Sequence, residues 1–347
     1  MLKILKTRLS IAIALVAALS LLLTPAAYAA EGTTQGSFGA ASQPPTVESI
    51  DIWDNIGCTG PAVTSMTPQA TYYAKVTVSS PNKLKHLLTV RATIYYDSDG
   101  SHPVAPGAGA PQTCAIFSRT VGNPVLDWTI DAGGSTSWAI VPASCSEPAN
   151  LNLTLGDWIF AFKPGKVAHE AIPAADDWDA QGWAINKSSQ PDDVYVYGKA
   201  MDWYGEITMN TPTVNWGPVP LGLTFEGAEN PETNISVTYL ANGDYYENVN
   251  SSENWTGEVS AEIVTLDGGG GNPPLADSQF ALKGNDVSDN TSWITVTTSY
   301  DHINNTGTIT SETPDPVNTN TLWLSLSAAG ITPDTYDGEI HYQIANR

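Results

Sequence analysis

The residues able to do chemistry are scattered. The five histidines are His86, His102, His169, His302 and His341. No two of them have the HExxH or HxH spacing that brings two imidazoles onto one metal ion, so each reads as a surface residue. No Gly-x-Ser-x-Gly elbow and no Cys-x-x-Cys pair occurs, so neither a serine nucleophile nor a dithiol centre has a sequence signature. Carboxylates are abundant, at 36 Asp and Glu. A glycosidase pair, however, is defined by separation in space, which sequence does not give. Two acidic stretches carry the donor type that a hard cation needs. Asp97-Ser98-Asp99-Gly100 resembles the opening of a calcium loop. It lacks the later oxygen ligands and the distant Glu of an EF-hand, and a hairpin turn accounts for the same residues. "ADDWDAQGW", Ala175–Trp183, reads as a second acidic loop of the same grade. The expectation is a protein with no catalytic residues, no bound cofactor and no dedicated metal ligands, with weak calcium binding as the one allowance.

Three cysteines, Cys58, Cys114 and Cys145, allow one disulfide and one leftover thiol. Export makes a bridge reasonable. Cys114 opens the strand-like "CAIFSRTV" and Cys145 follows the strand-like "SWAIV", so Cys114–Cys145 is the favoured pair. That pairing needs the two strands to form one long hairpin. If Leu126–Ile130 lies between them in a meander, the sulfurs end apart.

The elements that must position these groups are strands. In "YYAKVTVSS" Tyr72, Ala74, Val76 and Val78 share one face. In "LTVRATIYY" Leu88, Val90, Ala92, Ile94 and Tyr96 do the same, and in "DWIFAF" so do Trp158, Phe160 and Phe162. Successive strand side chains point to opposite faces, so each run is a half-buried strand. Turn-forming clusters such as "SSPN", "DSDG" and "KPGK" separate them. Asn242-Gly243, inside "ISVTYLANGDYY", predicts a two-residue hairpin. No amphipathic helix of 12 residues or more stands out. The fold class is all-β, with two tandem antiparallel β-sandwiches of immunoglobulin-like type; a β-barrel or a single larger sandwich is the alternative.

The N-terminus has a basic start (Lys3, Lys6, Arg8), an apolar run over Ile11–Leu23 and "AYAA". This predicts a cleaved signal peptide over residues 1–29 and leaves no membrane-spanning segment in the mature chain. Residues 30–45, rich in Gly, Ser, Thr and Pro, read as a flexible leader. A shift in charge supports a first sandwich over 46–205 and a second, more acidic one over 206–347. The formal net charge of the chain is −22, and Lys283 and Arg347 are the only basic residues after position 205. Such a surface repels nucleic acid and attracts divalent cations.

The eleven tryptophans and fourteen tyrosines raise carbohydrate stacking. Trp178, Tyr245 and Tyr246 lie near turns and are the exposed candidates. Seven Asn-x-Ser/Thr sequons occur, at Asn152, Asn186, Asn234, Asn250, Asn254, Asn290 and Asn304.

Two stretches of the second half, "VNWGPVPLG" (Val214–Gly222) and "LWLSLSAAGITPDTYDGEIHYQI" from Leu322, resemble secreted bacterial and archaeal envelope sandwiches of the WxL and spore-coat-U types. The resemblance implies structural, adhesive or scaffold roles without catalysis. It departs from the Trp-x-Leu signature, because Trp323 is followed by Leu324 and Ser325. Peptidoglycan binding is therefore not carried over. The expected function is a secreted, non-catalytic cell-surface or matrix protein, structural or adhesive, assembling with itself or an envelope partner by strand addition. A secreted glycan-binding module is the alternative, and an extracellular hydrolase is a third.

Overall fold

The period-2 runs fold as strands. The structure, a computed structural model, describes residues 41–123, 125, 127–173, 176–223, 232–268, 274–286, 293–312 and 318–347. The expected signal peptide, the leader up to residue 40 and the Asn290 sequon lie outside the described residues. Ten strands make the first half: β1 (Thr46–Trp53), β2 (Ser65–Met66), β3 (Tyr72–Ser79), β4 (Leu87–Asp97), β5 (Cys114–Thr120), β6 (Trp128–Asp131), β7 (Ala139–Ile140), β8 (Leu155–Lys163), β9 (Asp177–Asn186) and β10 (Pro191–Met201). The second half holds β11 (Gly205–Met209), β12 (Glu232–Ala241), β13 (Tyr245–Ser251), β14 (Asn254–Gly257), β15 (Ile263–Leu266), β16 (Gln279–Asn285), β17 (Ile294–Val296), β18 (Asp301–Gly307), β19 (Asn318–Leu326), β20 (Tyr336–Asp337) and β21 (Ile340–Asn346). Among the described residues no α-helix occurs, and no helix is long and apolar enough to cross a membrane.

In the first half, a sheet ordered β1-β3-β8-β7 faces one ordered β2-β10-β9-β4-β5-β6. Val76, Trp158, Phe160 and Phe162 from one meet Val90, Ala92, Phe117 and Trp178 from the other in a single core. β3 alternates buried and half-buried residues along its whole length, as its sequence predicts. Gly182 on β9 lets the sheets approach, since a Cβ there would sit 3.1–3.2 Å from Val76, Ile50 and Val47. In the second half, a sheet ordered β11-β12-β19-β16-β15-β14-β20 faces β18-β13-β21 over a separate core that includes Tyr239, Val249, Phe280, Ile303 and Leu322. The expected two sandwiches are present.

Three details depart from expectation. First, the sheets are not wholly antiparallel: β2 runs parallel to β10, and β15 parallel to β16. Second, Asn242-Gly243 is not a hairpin turn. β12 pairs with β11 and β19, whereas β13 pairs with β18 and β21, so the chain crosses between sheets there. Asn242 is fully buried, and its amide donates to the carbonyls of Ala168 and Asp202. Gly243 sits in tight surroundings: a Cβ there would lie 3.0 Å from Glu170 Cβ and 3.2 Å from Trp203 Cδ1. Third, the end of the expected leader is docked, because Asn186 Nδ2 donates to the Gln43 carbonyl at 2.9 Å and to Ser42 Oγ at 3.2 Å.

Residues Ser42–Arg347 form one compact unit. A polar seam joins the two cores. Glu312 accepts the hydroxyls of Ser135 and Ser137 and the Thr136 amide. Lys166 Nζ lies 2.8 Å from Glu206 Oε1, and Gln112 Nε2 donates to the Thr310 carbonyl.

The disulfide expectation is corrected. All three cysteines are free. β6 lies beside β5 as a meander, and the chain then leaves for the opposite sheet through β7. Cys114 is buried with Tyr95 and Ile116 on the outer side of one sheet. Cys145 lies against β8 in the other, where its Sγ accepts the Ala161 amide at 3.2 Å.

Candidate metal centre

The two acidic stretches meet. Asp97 closes β4 and stands opposite Asp177, the first residue of β9; two residues further along, Tyr95 stands opposite Asp179. Strand alternation then puts Asp97, Asp177 and Asp179 on one face, while Trp178 turns into the core. Arg91 and Trp183 share that outer face, with the guanidinium 4.7 Å from the ring centroid. "ADDWDAQGW" is thus not a loop over its described part but the start of a central strand.

An outer sheet face would normally be wet. Here the long β4–β5 connection folds back over it. Tyr95 donates its hydroxyl to the Pro103 carbonyl at 2.9 Å, and Ala105 packs against the Tyr95–Cys114–Ile116 cluster. The result is three buried carboxylates: Asp97 at 2% exposure, Asp177 at 7% and Asp179 at 0%. His102, on the same loop at φ 56°, completes the group from its rim. Its Nδ1 lies 3.8 Å from Asp97 Oδ2 and 3.6 Å from Asp179 Oδ2. One ligand atom from each of the four residues lies within 4.8 Å of all the others. A bulge in β10 at Gly198 (φ 80°) presents Tyr197 to the site, and its ring lies 4.1 Å from that of His102.

The carboxylates are not equally satisfied. Asp97 accepts the His102 amide at 2.7 Å and the Asp99 amide at 3.2 Å, the Asx geometry of a turn. Burial raises its pKa, but these amides outweigh burial and hold it below the usual carboxylate range. Asp177 Oδ1 and both oxygens of Asp179 are buried and accept no hydrogen bond of ordinary length and angle, and only the nearby Gly198 amide and the two carboxyls' own interaction soften their surroundings. Burial and the charge of Asp177 raise the Asp179 carboxyl to about 6. Burial likewise raises Asp177. At an effective dielectric of about 20, two unit charges about 4 Å apart repel by about 4 kcal/mol. A fully ionised cluster needs a positive counterpart. Lys199 and Arg91 are committed elsewhere: Lys199 Nζ sits 2.7 Å from Asp51, and Arg91 lies on Trp183. The donor set, three carboxylates and one imidazole, is that of a hard or borderline divalent cation.

The aromatic candidates for sugar stacking resolve differently. Trp178 and Tyr245 are buried, so neither offers a face to solvent. Trp178 donates its indole N–H to the His169 carbonyl at 2.8 Å. Tyr246 is half-buried between His302 and Arg347. A groove of about 1010 Å³ in the second half has aromatic walls that sequence reasoning missed: Trp216, Trp255, Tyr336 and Tyr342, with Asp334 and His341 at its edge. Its residues come from segments more than a hundred positions apart, which no local pattern connects.

No protein family profile matches the chain, and no curated protein matches it. Among solved structures, it is similar to a chain of a chaperone–tip adhesin complex of CFA/I fimbriae, at 10% identity over 83% of this chain and 97% of that one, with a TM-score of 0.24. It is similar also to a DUF4466 family protein from Parabacteroides merdae, at 9% identity over 81% of this chain and 99% of that one, with a TM-score of 0.23. Likenesses at these TM-scores carry no argument about function.

Proposed function

We propose that this chain is a secreted, non-catalytic structural or adhesive protein of the cell surface or extracellular matrix. The observation that carries this reading is the seam between the sandwiches. Glu312 is received by three successive residues, Ser135, Thr136 and Ser137, and Asn242 is received by Ala168 and Asp202. Such contacts make two sandwiches a single stiff body, which suits a load-bearing or spacing role. Sheet edges bear on partners. β2, β7 and β20 are edge strands of two residues each, which blunts them, while β1, β11 and β21 are longer. Strand addition by a second copy or an envelope partner would use one of the longer edges. Light scattering of the purified protein, with and without calcium, tests assembly, and sedimentation with envelope preparations tests attachment. A strict monomer that stays in the supernatant under all conditions removes this reading.

A second reading, binding of a neutral glycan, is favoured by the groove. Trp216 and Trp255, with ring centroids 5.8 Å apart, line it together with Tyr336. Glycan-array binding that disappears in Trp216→Ala would support it.

A further inference from the structure

We propose that Asp97, Asp177, Asp179 and His102 form a divalent-cation site that fastens the β4–β5 loop to the β4–β9 strand pair. This inference does not depend on the adhesive reading above. Four observations converge on it. The register of β4 against β9 places two carboxylates directly opposite and a third two residues on. The loop covers them, so water does not solvate their charges. Three of their oxygens are buried and accept no hydrogen bond of ordinary length and angle. The mutual distances of the ligand atoms, all within 4.8 Å, match the span of a coordination sphere, since oxygens at about 2.4 Å from a calcium ion lie up to about 4.8 Å apart.

Other ways of balancing the cluster are weaker. A protonated His102 brings one positive charge, at 3.6 Å or more, from a side chain that is 43% exposed. Three buried carboxylates ask for more than that. A divalent ion supplies two charges at bonding distance and ligates these buried oxygens at once. Carboxylate oxygens dominate the set, which favours Ca²⁺ or Mn²⁺; the imidazole admits Zn²⁺. Ser98–Thr113, which runs through "DGSHPVAPGAGAPQ", contains no named strand, and the ion would add a tie at its start to the contacts that Pro103 and Ala105 make with the Tyr95 cluster.

The test uses the purified protein, stripped with EDTA and then titrated separately with Ca²⁺, Mn²⁺ and Zn²⁺. Heat of binding and thermal midpoint are followed together. The expected result is one saturable site for at least one of these ions, with a rise in the midpoint and protection of the loop against proteolysis. Asp179→Asn is the decisive variant. It keeps the shape and removes a buried charge, so it folds without metal, and its affinity should drop at least about tenfold. His102→Ala should weaken Zn²⁺ more than Ca²⁺. The proposal is overturned if none of the three ions binds at concentrations up to about ten times 10⁻³ M, the weak end for extracellular calcium modules. It is equally overturned if binding is unchanged in Asp179→Asn and Asp177→Asn, because the ions would then sit elsewhere on the acidic surface.

Discussion

Asp97 and Asp177 face each other directly across the β4–β9 pair, both buried, with the loop that follows Asp97 folded over them. Directly opposed like charges destabilise a strand pair. In chelator, Asp177→Asn should therefore raise stability by roughly 1–2 kcal/mol, a shift of a few degrees in the thermal midpoint. With a bound cation the sign should reverse. A pair of melting curves, with EDTA and with excess metal, measures both.

Arg119 is fully buried on β5. It forms a bidentate pair with Glu147 at 3.0 Å, donates to the carbonyls of Asn123 and Val125, and lies 5.5 Å from the centroid of Trp128. Arg119→Ala strands a carboxylate and leaves two carbonyls unpaired, so it should cost about 3–5 kcal/mol. Arg119→Lys should recover little, because an ammonium cannot reproduce the planar fork. Urea denaturation of the two variants checks this.

Free thiols make a sharp chemical prediction. Burial pushes the Cys114 thiol to about 12, with Asp131 adding to the shift, and burial pushes Cys145 to about 11. Thiolate, the reactive form, is therefore scarce at pH 8. A thiol reagent should find none of the three cysteines readily in the native protein and all three after denaturation. A count of one would restore the bridge.

Acid should loosen the seam. Burial raises Glu312, but the hydroxyls of Ser135 and Ser137 and the amides of Thr136 and Ser137 outweigh it, and its folded pKa is lowered. Glu206 is lowered by Lys166 and Tyr204 in the same way, against burial. A depressed folded pKa gives stability that is complete above the unfolded value, about 4.3, and is lost as pH falls through the folded one. The seam's contribution to the thermal midpoint should be constant above about pH 5 and decline below about pH 4, so the midpoint of Glu312→Ala should fall less steeply than the parent's below about pH 4.

Two buried indoles should respond differently to the same change. Trp178 donates to the His169 carbonyl, whereas Trp158 Nε1 has no partner. Trp178→Phe leaves a carbonyl without its donor and should cost about 1–3 kcal/mol more than Trp158→Phe, as denaturant midpoints would show.

Much of the architecture was legible because it follows period 2. Val76, Trp158 and Phe160 point inward for the reason their spacing predicts. What was not legible is pairing across long separations. Asp97 and Asp177 are eighty positions apart, and only the β4–β9 register joins them. A partial signal was present: Asp177-x-Asp179 puts two carboxylates on one strand face, once the stretch is read as a strand. Asn242-Gly243 misled because the dipeptide specifies a bend, not which strands the bend connects. The cysteine pairing failed on the same ground, since whether β6 lies beside β5 decides where Cys145 goes.

The burial of Asn242 bears on cooperativity. A side chain from the connection between β12 and β13 finishes its bonding inside the first sandwich. Cut away from residues 46–205, the remainder would be left with an orphaned amide group. Two cores therefore do not make two independent melting units, and a calorimetric scan of the intact protein should show one peak, not two.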